Sequence, residues 1–337
     1  MSGTSPDQPL IFAIGASAEL GQRIAQHLGV ALAKLEERAF EDGEFKIRPL
    51  VNVRNRDVYV VHSLNGDRSQ SANDKLCRLL FFVAALKDAS AASVTAVVPY
   101  LCYSRKDRQT NPRDPVTTRY VAELFEAVGT DRMMTMEVHN PAAFQNAFRC
   151  PTEHLNANRI LINHLLPLIG DTPAAVVSPD SGGAKRAELF REQLERTLGR
   201  SVSAGFVEKN RSMGRLTGGT FAGDVAGRVA IVVDDLISSG GTMARAVAAC
   251  HAHGAAHVYP LATHGLFAKD AATVLAKAAV DEIIVTDTVA PNTDGPRAFQ
   301  ERLAIVGVAG VFAEAIRRCH SGGSITELLA ADERASR

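Results

Sequence analysis

Val229-Ala230-Ile231-Val232-Val233-Asp234-Asp235-Leu236-Ile237-Ser238-Ser239-Gly240-Gly241-Thr242 is the stretch on which the reading of this chain turns. The apolar run Val229–Val233 predicts a buried strand. A helix-compatible run, Met243 to His251, leads out of it. Strand, acidic Gly/Ser/Thr-rich loop and helix in that order present backbone N–H groups and hydroxyls to one anion at the positive end of a helix. Gly240 and Gly241 let the backbone approach a phosphate without a Cβ in the way. Two adjacent carboxylates repel a bare phosphate, but they suit sugar hydroxyls or a phosphate-bound Mg²⁺. The loop therefore reads as a ribose-phosphate cradle; the plainer alternative is a strand-to-helix turn with a Ser/Thr N-cap. A second Gly-Gly-Thr, residues 218–220, has no apolar strand ahead of it and is set aside.

Working outward, apolar runs alternate with helical patterns. Leu10–Gly15, Val58–Val61, Val94–Pro99, Met133–Val138, Ala174–Val177, His257–Leu261 and Glu282–Val285 read as further buried parallel strands. Glu19–Leu28, Asp74–Ala89, Thr117–Ala127, Asn158–Leu166, Lys185–Thr197 and Thr242–His253 read as helices. Alternating β and α predicts an α/β fold with parallel sheets. The halves also echo one another: Val58–Val61, a loop, helix 74–89 and strand 94–99 match strand 229–233, the acidic loop, helix 242–253 and strand 258–261. Two copies of one βαβ-based domain are expected, with the cradle intact only in the second. The boundary is placed after the Cys150-Pro151 turn, giving domains 1–155 and 156–306, with 307–330 packing back on the first.

The 337 residues are 46% hydrophobic, ample for packed cores, and Lys+Arg equal Asp+Glu at 37 each. That balance calls for neither nucleic acid nor an anionic membrane as partner. No apolar stretch approaches the roughly 18 residues of a membrane span, and Met1 to Gln8 lacks a signal-peptide core. The five cysteines are odd in number and lack C-x-x-C spacing. They suggest a reducing, cytoplasmic setting, buried apolar roles and no disulfide framework.

Several other segments carry chemistry. Gly15 to Gly21 superficially resembles a dinucleotide fingerprint, but lacks its glycine spacing, and Glu36 and Glu37 end no clear second strand. Phe40-Glu41-Asp42-Gly43-Glu44 joins an aromatic to acids around a turn: a surface turn, or an adenine clamp. Arg105, Lys106, Asp107 and Arg108 follow a strand end, where cations suit a triphosphate. His139 and Asp180 each end an apolar strand and can hold a divalent metal, although Mg²⁺ prefers oxygen and keeps its waters. Lys209 and Arg211 precede Ser212–Gly227, a Gly-rich stretch read as a mobile loop able to close over polyphosphate.

Taken together, and over roughly residues 10–330, these motifs resemble the ribose-phosphate diphosphokinase family, the synthetases of phosphoribosyl pyrophosphate (PRPP). The resemblance implies two tandem type I phosphoribosyltransferase-like domains, each a central parallel sheet flanked by helices. It implies transfer of the diphosphoryl group of MgATP to the 1-hydroxyl of ribose 5-phosphate, giving PRPP and AMP. It assigns Phe40, Asp42, Glu44, Arg105, Lys106, Asp107 and His139 to ATP, with His139 and Asp180 at Mg²⁺. It assigns Asp180, Asp234, Asp235, Ser238, Ser239, Gly240, Gly241 and Thr242 to ribose 5-phosphate, and Lys209 and Arg211 to catalysis. A homo-oligomer is implied, dimer-based, tetrameric or hexameric, with the Phe40 hairpin reaching a neighbour's ATP site. The chain departs from the family's commonest pattern at Ser238, Ser239, Lys106 and Asn210. The alternatives are a non-catalytic regulatory homologue and a PRPP-using phosphoribosyltransferase.

Overall fold

The computed structural model describes residues 8–212, 215–290 and 294–328, with side chains outside 208–220. The chain divides into two compact units. The first runs to Asn156 and takes in Thr288–Ala290 and the C-terminal helix. Its elements are β1 (Leu10–Ala13), α1 (Ala18–Leu28), β2 (Leu35–Ala39), β3 (Phe45–Pro49), β4 (Asp57–Val61), α2 (Ala72–Asp88), β5 (Ser93–Val98), α3 (Thr117–Ala127), β6 (Arg132–Met136), α4 (Pro141–Ala147) and β7 (Thr152–Leu155). The sheet order β1-β4-β5-β6-β7 is parallel throughout. Buried Val58, Val60, Val94 and Ala96 form its middle, and Phe12 meets Phe82 of α2 edge-on at 5.2 Å.

The second unit holds α5 (Asn158–Ile169), β8 (Ala174–Ser178), α6 (Ala184–Leu198), β9 (Ser203–Ser212), β10 (Arg215–Gly223), β11 (Val229–Ile237), α7 (Gly241–Ala252), β12 (His257–Gly265), α8 (Ala271–Ala276), β13 (Ile283–Thr286), α9 (Arg297–Gln300) and β14 (Leu303–Val306). Its sheet order is β10-β9-β8-β11-β12-β13-β14, with β10 antiparallel to β9 and the rest parallel. Val229, Ile231 and Val232 are at most 1% exposed. Each such side chain contributes roughly 1.5–3 kcal/mol by leaving water. The final helix, α10 (Ala309–Ser321), packs on α1: Arg317 donates to the His27 carbonyl at 3.0 Å, and His320 Nδ1 meets Asp57 Oδ2 at 2.7 Å.

The internal echo extends to topology. In strand order, β8-β11-β12-β13-β14 repeats β1-β4-β5-β6-β7. Each unit also inserts an antiparallel hairpin between its first two sheet strands: β2–β3 in one, β9–β10 in the other. The β9 strand joins its sheet alongside β8. In the first unit that position is marked by a single parallel bridge, Leu32 to Ile11, before the hairpin forms a sheet of its own.

Some expectations are corrected. The strand expected to end at Val233 continues to Ile237, because β12 is equally long and pairs with it through Gly265. Ser212–Gly227, read as a loop, is mostly the antiparallel β10. Thr217, Thr220 and Phe221 favour extended backbone, and a bulge between Leu216 and Gly219 absorbs the glycines. Residues 218–220 lie within that strand. Glu36 and Glu37 sit inside β2, a charged and partly exposed strand outside the parallel sheet. Cys77 is exposed, whereas Cys102 and Cys250 are buried; all five cysteines are free thiols. No helix among the described residues is long and apolar enough to cross a membrane.

Candidate active site

In the second unit, polar residues gather at the C-terminal ends of β8 and β11. Pairing between these strands stops at Val232↔Val177, while β11 continues on its β12 side. Asp234 and Asp235 therefore lie on a strand flanked on one side only. Asp235 is 4% exposed. Beyond Ile237 the loop is anchored by backbone: Leu266 and Phe267 donate to the Ile237 carbonyl at 3.0 and 3.1 Å, and Ala268 donates to that of Ser238 at 3.0 Å. Gly240 has φ +76°, which other residues rarely adopt, and a Cβ there would lie 3.1 Å from Leu275 of α8. The turn thus delivers the chain into α7, whose first turn no side chain caps. Uncapped N–H groups at a helix start suit an anion.

Arg245, in the same turn, donates from Nη2 to Thr242 Oγ1 at 3.2 Å. A cation at a helix N-terminus opposes the macrodipole and is favourable only beside an anion. The corresponding place in the first unit differs. There Ser71 and Asp74 close α2 with a reciprocal capping box. The preceding loop is filled by buried His62, Ser63 and Asn65, and by Lys75 paired to Asp67 at 2.6 Å. Burial and the Lys75 charge hold the His62 imidazole neutral, its pKa lowered to about 3.

Opposite the acid pair stands the turn after β8. Ser178 Oγ donates to the Asp180 carbonyl at 2.6 Å. Asp180 Oδ1 accepts from the N–H groups of Gly182 and Gly183 at 3.0 and 3.2 Å. This turn launches α6, and Arg186 in its first turn reaches across: Nη1 lies 3.1 Å from Asp234 Oδ1 and 3.5 Å from Asp235 Oδ1. Burial, then the neighbouring Asp235 charge, raise the Asp234 pKa from an ordinary 3.8 to about 7, with Arg186 working against the rise. The sequence motifs point to neither Arg186 nor Arg245. Nothing in the sequence separates Arg186 from Lys185 before the start of α6 fixes the helix phase.

In the first unit, the segment after β5 is tied to the end of β6. Asn140 donates to Asp107 Oδ2 at 2.6 Å, and its own Oδ1 caps α4 by accepting from Ala143 at 3.2 Å. Exposed His139 is the neighbour of this bridge. Arg105 is exposed, whereas Lys106 is engaged: its Nζ meets Asp114 at 2.6 Å and Thr110 Oγ1 at 3.2 Å. The β2–β3 hairpin lies on α2, where Phe45 stacks on Phe81 at 5.5 Å beneath Arg78. Its tip presents Phe40, 42% exposed with Arg38 over the ring, and an Asp42 that accepts from the Glu44 N–H at 3.0 Å. Lys209 and Arg211 belong to β9; their side chains fall outside those described. Among the described residues, no group of three or more His, Cys, Asp or Glu is arranged to hold a metal.

Residues 10–129 match the family model of the N-terminal domain of ribose phosphate pyrophosphokinase, and residues 214–330 match that of the phosphoribosyl synthetase-associated domain. The ribose-phosphate pyrophosphokinase of Caldanaerobacter subterraneus subsp. tengcongensis is 36% identical over 95% of this chain and 97% of its own length. That of Hyphomonas neptunium is 34% identical over 95% of this chain and 99% of its own. A crystal structure of phosphoribosylpyrophosphate synthetase from Mycobacterium smegmatis superposes with a TM-score of 0.84 at 32% identity, covering 94% of this chain and 100% of that one. With relatives this similar along nearly its whole length, the chain belongs to the ribose-phosphate pyrophosphokinase family.

Proposed function

We propose that the chain transfers the diphosphoryl group of MgATP to the 1-hydroxyl of ribose 5-phosphate, giving PRPP and AMP. The observation that carries this reading is the uncapped start of α7 beside the part-buried Asp234 and the buried Asp235. One site thus offers anion donors for a phosphate and carboxylate acceptors for sugar hydroxyls. Ser238 to Thr242 hold the 5-phosphate, while Asp234 and Asp235 accept from the ribose hydroxyls and orient the nucleophile. The hydroxyl oxygen attacks the β-phosphorus in line, and the bond to the α-phosphate breaks, leaving AMP. Positioning and charge neutralisation carry the rate.

The N-terminal domain expected from the sequence, 1–155 with 307–330, takes the ATP role: Phe40 stacks on adenine, Asp42 and Glu44 accept from its amino group, and Arg105, Lys106, Asp107 and His139 face the triphosphate. Residues 156–306 take the ribose 5-phosphate role. His139 and Asp180 are proposed as Mg²⁺ ligands. The absence of a three-residue protein cage among the described residues suits this ion, which keeps waters and binds through a carboxylate or two plus substrate phosphates. When bound, Mg²⁺ offsets triphosphate charge.

The exposed Phe40 at a hairpin tip supports a site completed by a second copy, in a cytoplasmic homo-oligomer. Fully active protein sized by light scattering in assay buffer should contain no monomer; an active monomer sinks that part of the reading. The activity itself is tested by incubating the chain with MgATP and ribose 5-phosphate. AMP and PRPP should appear in equal amounts. Release of ADP, or consumption of PRPP with a base and no AMP, points to another reaction. Absence of turnover points to a regulatory homologue.

A further inference from the structure

Building on the reading of Asp234 and Asp235 as the ribose clamp, we infer that Arg186 is a positioning residue that aims both carboxylates at the sugar hydroxyls. The geometry begins at the turn before it. Ser178 Oγ bonds the Asp180 carbonyl, and Asp180 Oδ1 gathers the N–H groups of Gly182 and Gly183. A Cβ at Gly183 would lie 2.9 Å from Ser178 Oγ, so the turn closes tightly only around glycine. This fixes the start of α6 at Ala184 and places the Arg186 guanidinium, 20% exposed, against the end of β11.

There Nη1 lies within ion-pair reach of Oδ1 of both acids. Asp234 Oδ1 also accepts the Asp235 N–H at 2.9 Å. Three interactions thus fall on two oxygens. Arg186 thereby ties both acids into one charged cluster at the end of β11.

Two carboxylates this close in a largely buried site repel one another, and without a cation they rotate apart or take a proton. A guanidinium supplies a charge that is never titrated away. Its removal leaves the acids uncompensated, which costs more than the pair contributes when intact. An ion pair of purely architectural value would weaken the fold and both substrates alike. A positioning residue acts on ribose 5-phosphate through Asp234 and Asp235.

Steady-state kinetics of Arg186→Gln, Arg186→Lys and the double variant Arg186→Gln/Asp234→Asn test the inference. In Arg186→Gln, the KM for ribose 5-phosphate should rise at least about tenfold, while the KM for ATP stays within about twofold. Lysine, a point charge on a shorter reach, should recover part of the loss. With Asp234→Asn already present, Arg186→Gln should add much less than it costs alone, because coupled residues are non-additive. Equal rises in both KM values, full additivity, or a lysine variant no better than glutamine would each overturn the role. If Arg186→Gln does not fold, the lysine variant and its combination with Asp234→Asn carry the same test. Calorimetric binding of ribose 5-phosphate without ATP separates this inference from the activity. Wild-type binding without turnover removes the activity alone; binding that Arg186→Gln leaves intact removes the role of Arg186.

Discussion

Asp234→Asn should yield a protein that is more stable and nearly inactive. The carboxylate is largely withdrawn from water beside Asp235, and its pKa is raised to about 7. Keeping it ionised therefore costs the native state, because each tenfold change in proton affinity corresponds to about 1.4 kcal/mol between protonation states. Asparagine keeps the shape and removes the charge, at the cost of a weaker bond to Arg186. A net gain of roughly 1–2 kcal/mol follows, a Tm rise of about 2–6 °C.

The gain must depend on pH in one direction. Below the ordinary carboxylate pKa of 3.8, Asp234 is neutral in both folded and unfolded chains, and the variant gains nothing. The native wild type loses stability as pH rises from there through about 7, and the advantage of asparagine is complete at pH 8. Activity moves the other way. Hydrogen bonds to a charged acceptor are worth about 1.5–3 kcal/mol each, so kcat/KM for ribose 5-phosphate should fall on the order of 10²-fold. In the wild type the same parameter should decline as pH drops below about 7, when Asp234 takes up its proton. Thermal scans at pH 4.5 and 8, with kinetics at pH 8, check all three. A variant less stable at pH 8 than the wild type would show that Asp234 is a structural ion-pair partner rather than a strained functional acid.

How far the fold was legible depended on where each strand lies. Central strands are buried on both faces, so β4, β5, β8, β11 and β12 appear as unbroken apolar runs. The hairpin strands β2, Leu-Glu-Glu-Arg-Ala, and β3, Phe-Lys-Ile-Arg-Pro, stand outside the parallel sheet and carry charges, so no apolar run marks them. The edge strand β7, Thr-Glu-His-Leu, holds no apolar run, whereas β14, Leu-Ala-Ile-Val, does and is missing from the strands expected above. The end of β11 is hidden in the sequence because its last four residues are held by the β12 ladder rather than by their own composition.

The site was legible wherever chemistry follows local sequence. The Asp-Asp pair and the Gly-Gly turn announce themselves because strand, loop and helix are contiguous. Arg186 does not, because its meaning depends on the helix phase of α6 and on acids forty-eight residues away. Lys106 reads as a free cation in a basic loop, yet it is held by Asp114, a partner that loop spacing alone cannot predict.

That engagement of cations bears on Lys209. During transfer, negative charge builds on the diphosphoryl oxygens and on the departing α-phosphate, and it needs donors that are not already spent. Arg186 is committed to the acid pair. The backbone puts another supply at the right edge. Pairing of β8 with β9 ends at Ser178↔Phe206, where β8 turns off toward Asp180, yet β9 continues to Ser212. Lys209 therefore lies three residues past the last paired rung, about 10 Å further along the strand. This is beyond the sheet edge that carries Asp180 and Asp234. Lys209→Ala should lower kcat by about 10²–10³, the usual cost of one donor to developing charge in a closed site. Its KM for ribose 5-phosphate and its circular dichroism should remain close to the wild type, because the cradle after β11 is built without it. Lys209→Arg should retain part of the rate. Near-normal kcat in the alanine variant would remove Lys209 from the mechanism. An equal rise in the KM for ribose 5-phosphate would instead make it a ground-state ligand, binding substrate and transition state alike.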